Sequence, residues 1–74
     1  MTPNTQGSNR ASDSAQLSSI ASVLEELTGR IVEVAEHYDG TERADVASDL
    51  YDVERALRTA SRRLTKVQQS MDGG

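Results

Sequence analysis

Two runs of apolar residues, spaced alternately by three and four positions, most constrain what this chain can fold into. Such spacing keeps one narrow stripe of an α-helix turned toward a partner helix. The first run is Leu17, Ile20, Leu24, Leu27, Ile31, Val34 and Tyr38, and the second is Val46, Leu50, Val53, Leu57, Ala60, Leu64, Val67 and Met71. The pattern predicts an all-α fold, an antiparallel helical hairpin with coiled-coil spacing. These residues form its core seam, with Leu27 facing Val53.

The segment between the runs predicts a tight turn over residues 39–41. Gly40 suits the left-handed conformation that follows many helix ends, and its neighbours Asp39 and Thr41 are residues that cap helices. We therefore expect one helix over residues 13–38 and a second over residues 42–69.

Both ends of the chain predict tails. Residues 1–12 are rich in small polar side chains and have no large aliphatic residue after Met1, so we expect them to be disordered. Residues 71–74 are expected to be flexible.

The composition indicates that one hairpin is an incomplete fold. The 74 residues include no Phe, Trp or Cys, so aromatic filling and disulfides do not support the core. Most side chains beside the seam are small: Ala21, Thr28, Ala35, Ala47 and Ser61. Glu54 is the exception. Small flanks let a second pair of helices approach, so we expect the hairpin to form a homodimeric four-helix bundle through its seam. Alternatively, the alanines reflect helix propensity alone.

Charge is distributed unevenly along this acidic chain, whose net charge is −4. Eight acidic residues and one base, Arg43, lie between Ile31 and Glu54, whereas five bases and no acid lie between Arg55 and Lys66. Folding back at the turn makes one end of the hairpin acidic and the other basic. Antiparallel docking of two hairpins therefore places acidic ends on basic ends.

The candidate partner surface lies on the outward side of the second helix and consists of Tyr51, Arg55, Arg58, Arg62, Arg63 and Lys66. Tyr and Arg are enriched at protein-binding hot spots, which favours a protein partner. The basic stripe also suits nucleic-acid phosphates, but no aromatic residue stands within it and the acidic half repels a polyanion. Two purely structural alternatives are stacking of Tyr51 on Arg55 and a favourable helix-dipole interaction.

No motif for catalysis or for a cofactor or metal stands out. The single histidine, His37, follows Glu33 by four residues rather than the three of helical di-metal sites, and no glycine-rich phosphate loop is present. We predict a non-enzymatic regulatory or scaffolding module for protein–protein interaction. The main alternative is a small nucleic-acid-associated factor. Lacking a membrane-spanning stretch or a secretory signal pattern, the sequence predicts a cytoplasmic location.

The bend at Tyr38, Asp39 and Gly40 resembles that of the WXG100 family, small secreted helical hairpins whose turn carries Trp-x-Gly. Tyr38 stands in place of the tryptophan. The family's secretion pattern, a tyrosine followed four residues later by an acid, occurs here only as Tyr38 and Glu42, within the turn. The resemblance implies a hairpin fold and a heterodimeric partner of similar size.

Overall fold

The structure, a computed structural model, describes residues 6–73, with side-chain positions for residues 11–72. Helix α1 spans Gln6–Tyr38 (33 residues) and helix α2 spans Ala44–Gly73 (30 residues). The two pack along their length as a hairpin, a rod with dimensions of 55 × 24 × 15 Å. The predicted all-α fold of two packed helices is confirmed for the described residues.

The helix ends differ from those expected. Helix α1 begins at Gln6 rather than at residue 13, so the part of the expected tail over residues 6–12 is helical, whereas residues 1–5 lie outside the described residues. Lengthening an existing helix gains a hydrogen bond for each residue fixed, so weakly helical residues can join it.

At the other end of the chain, α2 begins at Ala44 rather than at residue 42, and it continues through Met71 to Gly73. Most of the segment expected to be flexible, residues 71–74, is therefore helical, and Gly74 lies outside the described residues.

The turn between the helices covers residues 39–43 rather than 39–41. Gly40 has a φ of +75°, which confirms the predicted left-handed conformation. The Thr41 amide donates to the Tyr38 carbonyl oxygen (3.1 Å), and the Thr41 hydroxyl oxygen accepts from the Arg43 amide (3.1 Å). Thr41 thus satisfies free backbone groups on both sides of the turn.

The residues between the two helices are not quite those expected. They form a packing stripe in which every member is buried or half-buried: Leu17, Ala21, Leu24, Thr28, Ile31 and Ala35 on α1, with Ala47, Leu50, Glu54, Leu57, Ser61 and Leu64 on α2. Within each helix the steps again alternate between three and four residues. Half of the stripe belongs to the expected seam, and the other half is the set of flanking positions.

Most of the remaining seam residues are exposed, whereas Val46 and Met71 are half-buried. Leu27 and Val53 were expected to face each other, but their side chains are 43% and 42% exposed. The small side chains at the flanking positions let the helix backbones approach closely, and the helices turn toward each other through those positions.

The hairpin buries very little apolar surface. Among the described residues, the fully buried apolar side chains are Ala35 and Ala47, and Thr28 is the one buried polar residue. Leucines of the packing stripe such as Leu24 and Leu57 stay half-exposed. Because alanine contributes little hydrophobic free energy, two helices alone supply a thin core.

Candidate interaction surface

A continuous apolar face runs along one side of the hairpin, and we call it the open face. Its members are all exposed: Ile20, Val23, Leu27 and Val34 on α1, with Val53, Ala60 and Val67 on α2. Each of the six larger side chains exposes between 42% and 52% of its surface. Such a concentration of exposed aliphatic residues is typical of a surface that binds another molecule.

Helix geometry places both helices' contributions on the same side. Successive residues turn by about 100°, so Leu27 and Val53 are each rotated in the same sense from the packing stripe of their helix. When two antiparallel helices are each rotated in the same sense about their own axes, viewed along their own chain directions, the side chains reached lie on the same side of the hairpin. The open face is therefore a single surface, and it extends about 20 Å along α2, measured by the helical rise from Val53 to Val67.

Two expected seam residues near the turn mark the end of this surface. Tyr38, the last residue of α1, is 39% exposed. Val46 in the first turns of α2 is half-buried, and its amide donates to the Arg43 carbonyl oxygen (3.0 Å). At the opposite end, Met71 is half-buried.

The packing stripe contains a polar section near its middle. Thr28 is only 4% exposed, and its hydroxyl donates to the Leu24 carbonyl oxygen (2.6 Å). The Glu54 side chain is 20% exposed and accepts a hydrogen bond from Arg58 Nε (2.6 Å). Both side chains form hydrogen bonds within their own helix, so their burial costs little stability. This section nevertheless stabilises the hairpin less than apolar packing would.

The basic residues of α2 are partly neutralised by their own helix. Arg55 forms an ion pair with Asp52, and Arg58 forms one with Glu54. Arg62 donates a long hydrogen bond to the Thr59 hydroxyl (3.4 Å), while Arg63 and Lys66 are exposed. Because two of the predicted stripe's arginines already bind carboxylates, the stripe is a weaker attractor of phosphate than its sequence indicates.

Tyr51 is half-buried rather than fully outward. Partial desolvation raises the pKa of its hydroxyl, and the negative charges of Asp39, Glu36 and Glu54 raise it further. Because its side chain is half-buried, Tyr51 offers a partner less surface than the sequence indicated.

A shallow groove of about 360 Å³ lies on the face opposite to the open face, and it is lined by Glu25, Thr28, Gly29, Arg58, Ser61 and Arg62. Its walls come from both helices and its lining is mainly polar. Two basic and one acidic side chain at its edge give it no strong charge preference.

An ion pair stands at the start of α2. The Arg43 guanidinium binds both carboxylate oxygens of Asp45, with Nε–Oδ1 at 3.0 Å and Nη2–Oδ2 at 3.1 Å. This interaction holds the pKa of the Asp45 carboxyl below its usual value and raises that of Arg43. Asp45 in the first turn also interacts favourably with the helix dipole.

Within the part of the chain that the structure describes, no three His, Cys, Asp or Glu side chains come together as a group able to hold a metal ion. In the same residues, neither helix is both long and apolar enough to cross a membrane. No model of a protein family, no curated protein and no solved structure matches this chain.

Proposed function

We propose that this chain is a non-enzymatic module for protein–protein interaction that works as a homodimer, with its open face buried against a second copy in a four-helix bundle. Regulation or scaffolding is the role that suits such a module. The observation that carries the proposal is the division of apolar surface. The hairpin fully buries two alanines among its described apolar residues and exposes six larger aliphatic residues on one face.

The balance between the conformational entropy lost on folding and the apolar surface buried supports self-association. Ordering each residue of a chain costs roughly 1.5 kcal/mol, and a core without large buried side chains offsets this poorly. Docking a second hairpin on the open face adds the burial of residues such as Leu27 and Val53, each contributing about 1 to 2 kcal/mol. The added apolar burial is of the kind that small helical proteins need.

The remaining surface is left for a protein partner. In a dimer of this kind the basic residues Arg62, Arg63 and Lys66 stay at the rim or on the outside. Arg55 and Arg58 are paired with carboxylates of their own helix, which does not favour binding to nucleic-acid phosphates. We therefore propose that the partner of this surface is a protein.

Analytical ultracentrifugation tests the proposal. At micromolar concentration the full chain is expected to sediment as a dimer, with twice the monomer mass of 8.0 kDa. Leu27→Glu places a charge in the middle of the open face and should shift the protein to monomer. Ser22→Glu, an exposed change facing away from that surface, is the matched control and should leave the dimer intact. A folded wild-type monomer would refute the proposal.

A further inference from the structure

The register between α1 and α2 is defined at the end of the hairpin away from the turn. Ser14 contacts Asp72 through its hydroxyl (2.7 Å), and its carbonyl oxygen accepts from Gln68 Nε2 (3.5 Å). Equal steps along both helices from these contacts place Leu27 level with residues 55–59 of α2. Leu27 thus lies level with the middle of the interval between Val53 and Ala60.

This register has a consequence for two-fold symmetry. An axis lying in the plane of the open face, across the rod at the level of Leu27, brings Leu27 against the partner's Leu27. The same axis brings Val53 against the partner's Ala60, because it crosses α2 midway between those two positions. A single two-fold axis therefore pairs apolar residues on both helices of the hairpin, as a closed dimer requires.

We infer that the second copy docks antiparallel about this axis, with α1 on the partner's α1 and α2 on the partner's α2. The inference rests on the proposed homodimer and specifies its geometry. The alternative is a parallel dimer, whose axis runs along the rod and stacks α1 on the partner's α2.

The charges at the edge of the open face favour the antiparallel arrangement. Asp49 and Arg63 are exposed, and they flank Ala56 at equal distances along α2. Antiparallel docking brings each Asp49 close to the partner's Arg63, and symmetry makes this pair twice. Opposite charges at such rim positions set orientation more than affinity.

The parallel arrangement places like charges together. Its two turn ends coincide, so the acidic residues near the turn of one copy, Asp45 and Asp49 among them, lie at the same end of the rod as those of the partner. These acids add to those of their own hairpin at the same end, where Arg43 is already occupied by Asp45. Repulsion between acidic ends opposes this alternative.

Disulfide cross-linking distinguishes the two geometries, and the chain has no native cysteine to interfere. A disulfide needs Cβ atoms within about 4.5 Å, so it reports direct opposition. In the antiparallel dimer Leu27→Cys lies beside its own copy, and a mixture of Ile20→Cys and Val34→Cys chains pairs across the interface. A mixture of Val23→Cys and Ala60→Cys chains pairs only in the parallel dimer.

We expect Leu27→Cys to oxidise on the order of 100-fold faster than the control Ser22→Cys at micromolar concentration, since the interface raises the effective concentration to the millimolar range. The Ile20 and Val34 mixture should give the covalent heterodimer. Preferential cross-linking of the Val23 and Ala60 mixture would overturn the antiparallel geometry, as would a dimer by ultracentrifugation in which none of these sites cross-links. A monomer by ultracentrifugation would instead refute the homodimer itself.

Discussion

The Ser14 hydroxyl donates a hydrogen bond of 2.7 Å to a carboxylate oxygen of Asp72, joining residues from the two ends of the chain. The contact lies at the open end of the hairpin, opposite to the Gly40 turn. The turn at one end and this contact at the other fix the register of the two helices, so each residue of α1 lies level with a known part of α2. This register determines where a two-fold axis can cross the open face.

Reversing one charge at the rim should weaken the dimer, and reversing both should restore it. Asp49→Arg places two arginines close together at each of two symmetric sites, and Arg63→Asp does the same with carboxylates. Each single change should raise the dimer Kd about tenfold at low salt, while the double variant returns to within about threefold of the original. Sedimentation equilibrium measures all four proteins.

Restoration by the double variant is the informative outcome. Two single effects that simply add would show that Asp49 and Arg63 do not meet. Raising the ionic strength should reduce the single effects, because the pair lies at an exposed rim.

Glu54→Leu should stabilise the hairpin. Glu54 interrupts the apolar part of the packing stripe, and its side chain is already only 20% exposed. Its partner Arg58 is mostly exposed and can return to water. The leucine should add about 1 kcal/mol to the free energy of unfolding, seen as a higher Tm by circular dichroism. Glu54→Gln keeps the shape without the apolar gain, and a leucine variant less stable than this control would show that the carboxylate is needed.

Gly40→Ala should destabilise the protein through its backbone alone. A Cβ at Gly40 would meet no atom within 4 Å, but the φ of +75° is unfavourable for alanine. The expected loss is about 1 kcal/mol in a urea unfolding experiment.

Gly29→Ala is the matched control for this loss. Gly29 also has open space around a built Cβ, and it lies inside α1 with an ordinary helical conformation. Here alanine should instead add about 1 kcal/mol of stability. Equal effects at the two glycines would contradict the conformation assigned to the turn.

Arg43→Gln should raise the pKa of Asp45. The guanidinium favours the ionised carboxylate, so the folded-state pKa lies below the unfolded value. The associated stability is complete above the unfolded pKa of about 3.9 and is lost as the pH falls through the lower folded value. Removing Arg43 should move the Asp45 titration, followed by NMR, toward the unfolded value. An unchanged midpoint would show that the ion pair does not form in solution.

Much of the hairpin could be predicted from the spacing of its apolar residues and from the Gly40 turn. The rotation of each helix could not, because Leu17, Leu24 and Ile31 belong equally to two series with the same alternating spacing. One series adds Ile20, Leu27 and Val34, and the other adds small residues. Hydrophobicity favours the first as the seam within the hairpin, but close approach of the backbones selects the second.

A signal for this choice was present in the sequence. Ala21, Thr28 and Ala35 recur at seven-residue spacing, as do Ala47, Glu54 and Ser61 on the second helix. Two matching rows that consist mostly of small residues permit close helix packing. By contrast, the ion pairs of Arg55 and Arg58 depend on side-chain rotamers, which the order of residues does not determine.

Thermal unfolding at different protein concentrations tests whether a second copy completes the fold by covering the open face. Because folding and association are coupled in such a dimer, a hundredfold increase in concentration should raise the Tm by roughly 10 °C. Circular dichroism at 222 nm follows the transition from micromolar concentration upward. A Tm independent of concentration, with full helicity retained at the lowest concentration, would show that one hairpin folds without a second copy.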